Sequence, residues 1–134
     1  ALAHDVLIVC GVFAWLGLLV QLEVDSLFAV ALLTIAGYSV NDTVVVFDRI
    51  RERRRQDSNL SLSLQVDQAV SATLTRTLYT SGTTLLPLLA LILFGGATLY
   101  WFAVALALGV VVGSWSSIAL APSLLSVWDR SGEA

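Results

Sequence analysis

Apolar residues run through the chain in long blocks, separated by short polar stretches. A membrane-crossing helix needs about 20 mostly apolar residues, and four segments meet or approach that length. The first expected span is 5–22, uncharged from residue 6 onward and closed by Glu23 and Asp25. The second is 26–50, apolar as far as Phe47 except for Asn41 and Asp42. Residues 77–128 then carry no Asp, Glu, Lys, Arg or His over 52 positions. As one helix this run would be about 78 Å long, far beyond a hydrocarbon core of about 30 Å. It has to turn back, and Gly95-Gly96 is the natural breaker. Spans over 68–94 and 97–128 follow. The expected fold is an all-α integral membrane domain, 1–134, with four transmembrane helices. A polar loop over 51–67 joins the second and third spans. Leu60, Leu62, Leu64 and Val66 alternate there with Ser61, Ser63 and Gln65, which fits a short extended segment or an interfacial helix.

Composition agrees. The chain is 57% hydrophobic and 13% charged, against about 25% charged in an ordinary soluble domain. A soluble domain of this size cannot hide so long an apolar stretch from water. A disordered chain is excluded for the same reason. The net charge of −3 argues against a nucleic-acid partner, which calls for a basic surface. Cys10 is the only cysteine, so no internal disulfide can form. The sequence has no Met and no basic n-region or signal cleavage pattern at its start, so the expectation is a piece of a longer polypeptide.

All seven basic residues are Arg, and five of them (Arg49, Arg51, Arg53, Arg54, Arg55) cluster directly after the second span. The positive-inside rule places that cluster on the cytoplasmic side. The connection after the first span has two acids and no base, as an outer turn would. The Gly95-Gly96 turn is then also outside. Loop 51–67, His4-Asp5 and the C-terminus with Arg130 are inside. Trp101 and Trp128 lie near span ends and fit an interfacial belt, whereas Trp15 and Trp115 fall mid-span, facing lipid or core.

Within the spans, Asp42 is the residue that demands an explanation. An intramembrane carboxylate is costly and marks an ion path, a proton relay or a paired site. The bland alternative is a helix that ends early, leaving Asp42 at the headgroups. Arg76 is the natural partner. Both residues fall roughly 10–13 Å inward from the cytoplasmic ends of their helices, so antiparallel neighbours would place them at one depth. A paired buried charge is tolerated where a lone one is not. Otherwise Arg76 snorkels to the inner headgroups. Thr73, Thr77, Thr80, Thr83 and Thr84 recur at three- and four-residue steps and share a helical face. With Asn41 they are candidates to line a proton path; the bland reading is that such hydroxyls bond back to their own backbone carbonyls or glue helices together. Pro87 follows and is expected to kink that helix. Gly109, Gly113 and Ser117 step by four on the last span as a packing face, with Gly37 and Asn41 a smaller version on the second. His4-Asp5 is either a proton entry point or a helix start with Asp5 as the cap. No nucleophile with an adjacent base, metal-ligand cluster or phosphate loop is present, so no enzyme active site and no metal are expected.

Residues 37–52, Gly-Tyr-Ser-Val-Asn-Asp-Thr-Val-Val-Val-Phe-Asp-Arg-Ile-Arg-Glu, resemble the signature of the SecF members of the SecD/SecF protein-export family. Leu74-Thr75-Arg76-Thr77 with Thr80-Ser81-Gly82-Thr83-Thr84 is similar to the next helix of that family. His4-Asp5-Val6 resembles the start of its third helix, and Phe94-Gly95-Gly96 its outer turn. The resemblance covers essentially the whole chain. It implies the last four helices of a six-helix RND-type SecF half, with the first helix, an outer domain and most of the second helix missing. It further implies a multi-pass protein of the bacterial cytoplasmic (inner) membrane. With SecD, separate or fused, such a protein uses the proton-motive force to assist preproteins emerging from the SecYEG channel. YajC and YidC are further partners to expect, besides membrane lipid. Protons are the coupling ion, and no cofactor is implied. The family's proton-conducting Asp and Arg correspond to Asp42 and Arg76. The hydroxyls at 73, 77 and 80 and their neighbours are a weaker correspondence. Two other readings compete: a structural module that docks SecD without its own proton path, and an RND-type exporter of small molecules or lipids.

Overall fold

The computed structural model describes residues 1–132; the Arg130 side chain, on which the inside placement of the C-terminus rests, lies outside what is described. Among the described residues every regular element is a helix: α1 (Leu2–Val20), α2 (Ser26–Gln56), α3 (Leu62–Phe94), α4 (Gly96–Trp115), a π-turn (Ser116–Leu120) and α5 (Ala121–Gly132). Four helices are long and apolar enough to cross a membrane, the fourth running through α4, the π-turn and α5. The all-α, four-span architecture read from the sequence is the one found.

The breaks follow local chemistry. At the end of α1, Gln21 takes the left-handed conformation, φ 55°, a common way to stop a helix. Asp25 caps α2, its Oδ1 accepting from the Phe28 amide at 3.2 Å. Gly95 ends α3 and Gly96 turns the chain at φ +74°, a backbone state natural to glycine. The expected loop over 51–67 is a correction: the connection is only 57–61, because α2 continues to Gln56 and α3 begins at Leu62. Arg and Glu are good helix formers, and Arg53, Arg54 and Arg55 in the last turn suit the helix dipole. Gln65 closes the turn, its Nε2 donating to the carbonyls of Asp57 (2.8 Å) and Leu60 (3.0 Å).

Lipid is as apolar as leucine, so helices in a membrane associate by close packing and hydrogen bonds. Small residues therefore line the contacts: Ala31, Ala69, Ala103 and Ala105 are fully buried. α4 is the central element and packs against α1, α2 and α3. Gly109 receives the Ile35 side chain of α2 so closely that any Cβ there would overlap it. Gly113 of α4 and Ser117 of the π-turn are also buried. Gly37 is a correction: it is exposed, with nothing near its missing Cβ, and Asn41 one turn later is exposed too. That face of α2 points away from the bundle.

Two apolar clusters result. One joins Val9, Phe13, Ala31, Ile35 and Ala105, with Trp101 packed against it edge-on to Phe13. The other joins Val46, Ile50, Val66 and Ala69 towards the Arg-rich end. Trp15 and Trp115 face outward. In the π-turn the Ala121 amide bonds the Ser116 carbonyl, five residues back, directly before Pro122. α3 by contrast stays helical through Pro87.

Candidate functional site

Between the two apolar clusters lies a polar layer: Asp5, Ser39, Asp42, Thr73, Thr77, Ser81, Ser116 and Ser117 are all buried. Burial is expensive for such groups unless they are hydrogen-bonded. Asking what each one bonds to separates the layer into three parts.

The first part is Asp42. It is 6% exposed, inside α2 with the apolar run 44–47 beyond it, so the helix does not end early. Its Oδ2 is buried with no hydrogen-bond partner, and the neighbouring Thr43 Oγ1 is likewise orphaned. Native interiors rarely leave such atoms unpaired, and an ordered water, an ion or a functional role accounts for those that are. The polar groups acting on Asp42 are the Tyr38 hydroxyl, one turn back, and the Arg76 guanidinium of α3. Among the described residues, however, Asp42 and Arg76 form no ion pair within 4.0 Å, and Arg76 is exposed on α3. The two lie within electrostatic reach without direct contact.

The second part joins three helices through hydroxyls. Tyr38 Oη lies 3.1 Å from Ser81 Oγ of α3 and 3.4 Å from Ser114 Oγ of α4. Ser81 and Ser114 also bond each other. Ser81 donates in addition to the Thr77 carbonyl at 2.8 Å. This triad sits at the residue that acts on Asp42.

The threonine face is mostly self-contained. Thr73 donates to the Ala69 carbonyl at 3.0 Å, Thr80 to Arg76 at 2.9 Å, Thr83 to Tyr79 at 2.8 Å and Thr84 to Thr80 at 2.7 Å. Thr83 is exposed. Of the five threonines, Thr73 and Thr77 are the two buried in the layer.

The third part centres on Asp5. Asp5 does not cap α1, whose N-cap is Ala1 with no side-chain bond. Asp5 is instead fully buried. Its Oδ2 accepts from Ser39 Oγ of α2 at 2.5 Å and from Ser116 Oγ of the π-turn at 2.8 Å. His4 Nδ1 lies 3.0 Å from Oδ1, and the His4 ring stacks on Trp115 at 5.9 Å. The cap expectation failed because an acid in a first turn suits the helix dipole wherever its side chain points. A usable signal was present: three serines (114, 116, 117) in an otherwise apolar helix, and Ser39 three residues before Asp42, hence on its face.

The family model described as "Protein export membrane protein SecD/SecF, C-terminal" matches residues 1–131. The protein translocase subunit SecF of Prochlorococcus marinus is 79% identical over 127 residues, covering 95% of this chain and 40% of that protein. SecF of Synechocystis sp. is 53% identical over 130 residues, covering 97% and 41%. Among solved structures, SecDF in its super-membrane-facing form superposes with a TM-score of 0.92 at 44% identity, covering 98% of this chain and 17% of that one. SecDF of Thermus thermophilus, a translocon-associated membrane protein, gives 0.90 at 45% identity, covering 96% and 17%. The chain thus spans about two fifths of the SecF proteins it matches. With a family match over nearly its whole length and a superposable four-helix fold, the chain belongs to the SecD/SecF family of protein-export membrane proteins, as a C-terminal membrane segment.

Proposed function

We propose that this segment is the proton-coupling part of a SecF-type export subunit. The subunit works with SecD in the bacterial inner membrane and uses the proton-motive force to assist preproteins at the SecYEG channel. The observation that carries this is Asp42: a buried carboxylate in a membrane helix, one oxygen unpartnered, with a cation within electrostatic reach but not bound. A static helix lock would be expected to close that pair, so the open geometry favours a group that changes partners. The SecDF relatives, with both names on one chain, support SecD as the partner.

In the cycle proposed, Asp42 takes one proton from the outer side and becomes neutral. Arg76 is then free of it. On release of the proton to the inner side, the carboxylate draws Arg76 in, and α2 and α3 repack about the apolar cluster of Val46, Ile50, Val66 and Ala69 between them. That alternation would be passed to the parts of the subunit outside the membrane. The Arg cluster at the end of α2 sets the cytoplasmic side, so 57–61 is a cytoplasmic turn and Gly95-Gly96 an outer one.

The test uses the full-length subunit assembled with its SecD partner in the membrane. Asp42→Asn and Arg76→Met should each abolish proton flux and export stimulation, with accumulation and co-purification of SecD unchanged. Normal export by either properly inserted variant would defeat the proposal. The lock reading makes the opposite prediction, that Asp42→Asn with Arg76→Gln restores function, because no unpaired charge is then buried.

A further inference from the structure

Asp5 has no role in the cycle above, yet it is more deeply buried than Asp42 and bonds to more groups. A carboxylate held by hydroxyls between three helix segments could be simple glue. Three features of its surroundings point further.

First, its acceptor load is divided. The two hydroxyls meet at Oδ2, leaving Oδ1 to His4 alone. His4 is about one-third exposed, 32% at the side chain, so its ring reaches from the buried carboxylate to the surface. Second, the Ser116 hydroxyl has an alternative acceptor already in place: the Gly113 carbonyl at 3.2 Å, within the same helix. Bonds to an ionised acceptor are roughly twice as strong as neutral ones, so the charge on Asp5 decides how that hydroxyl divides itself. Third, Ser116 opens the π-turn, the one segment of the fourth span where the regular ladder is already broken, and such turns cluster at functional sites. On α2, Ser39 stands about 4.5 Å along the axis from Asp42 and on its side of the helix.

We propose that Asp5 is a second proton-binding group of this membrane domain, exchanging with His4 and acting through Ser39 and Ser116 as a positioning residue for Asp42. It rests on the proton-coupling reading of Asp42. In the step itself, the imidazolium Nδ1–H bond breaks and an O–H bond forms at Asp5 Oδ1. Both groups end neutral, and His4 regains its proton from water at its exposed edge. Oδ2 then holds the two hydroxyls less strongly. Ser116 turns to Gly113, and the π-turn loosens from α1 and α2. The other titratable or charged groups facing this node are few. α2 brings Tyr38, which meets Gly113 beside Asp5, and Asp42 one turn beyond Ser39, and α4 and the π-turn carry no charged residue.

The experiment uses the full-length subunit with its SecD partner in lipid vesicles. Infrared difference spectra between acidic and neutral buffer report protonated carboxyl groups. Export under an imposed pH gradient is read across the same range. Asp5→Asn keeps an oxygen acceptor for the serines but cannot titrate; Asp5→Glu keeps titration. The expected result is one carboxyl band lost in Asp5→Asn and a different one lost in Asp42→Asn. The pH profile of export should shift in Asp5→Asn, with at least tenfold loss at its optimum, and recover in part with Asp5→Glu. A role as glue alone would leave Asp5→Asn with the wild-type band pattern and profile, and that result overturns the inference. Should Asp5→Asn fail to accumulate, Ser116→Ala carries the same test. It leaves the carboxylate in place, its Asp5 band must shift, and an unshifted band overturns the inference. Normal export by Asp42→Asn would overturn the coupling reading and this inference together. An inactive Asp42→Asn beside an Asp5→Asn of wild-type profile overturns this inference alone.

Discussion

The polar layer holds two buried carboxylates in contrasting states. Asp5 meets two hydroxyls and an imidazole, and every one of those groups is in place. Asp42, about one helical turn away along α2 from the serine that Asp5 binds, has an oxygen with no partner. Both acids carry the same cost of entering a low-dielectric interior. Only one has it met within the chain. The lesson is that burial does not by itself say how an acid is used: Asp42 is left free to take a new partner, whereas Asp5 can act only through partners already in place.

Removing the charge at Asp42 should break this contrast most visibly. Asp42→Asn gives up a carboxylate whose Oδ2 no hydrogen bond holds, so stability should change by less than about 1 kcal/mol. Export and proton flux should nevertheless fall to background. Thermal unfolding in detergent beside export in vesicles would separate the two. A large loss of stability would mean that Asp42 is held more firmly than its geometry indicates.

Stripping the donors from Asp5 should do the reverse. Ser39→Ala with Ser116→Ala leaves a fully buried carboxylate with His4 alone. Interhelical bonds in membranes are worth about 0.6–1.7 kcal/mol each, and stranding a buried charge adds to that. A loss of about 3 kcal/mol is expected, read as a lowered unfolding midpoint. A loss under about 0.5 kcal/mol would show that Asp5 does not depend on the serines.

Tyr38 precedes Asp42 by one turn of α2. Tyr38→Phe removes the hydroxyl shared with Ser81 and Ser114 while keeping the ring. The serines retain each other and their own carbonyls, so the cost in stability should be about 1 kcal/mol. Export should fall in part, because the hydroxyl is one of the two groups acting on Asp42. Export at the wild-type rate would exclude the triad from the site.

Much of this was legible in the sequence, for identifiable reasons. The four spans follow from apolar length alone, and the Gly95-Gly96 turn from glycine's freedom at positive φ. Asp42 stood out because a charge in an apolar run is conspicuous. What one-dimensional reading missed were groups whose role depends on a partner far away in sequence. Ser116 is 111 residues from Asp5, and no spacing rule links them. The same limit explains Gly37. Its four-residue step to Asn41 looks like that of Gly109 to Gly113, but which face meets a neighbour is decided by the other helices.

That difference yields the smallest expected effect and a clean control. Asn41→Ala should leave stability within about 0.5 kcal/mol, because the side chain is exposed on the outer face of α2. Asn41 precedes Asp42 in the chain but points about 100° away around the helix. If Asp42 works through the inner face, with Tyr38, Thr43 and Arg76, then export by Asn41→Ala assembled with SecD should stay close to wild type. A deep export defect with unchanged stability would move the working surface of α2 outward, and Asp42 would then share its task with whatever covers Gly37 and Asn41 in the whole subunit.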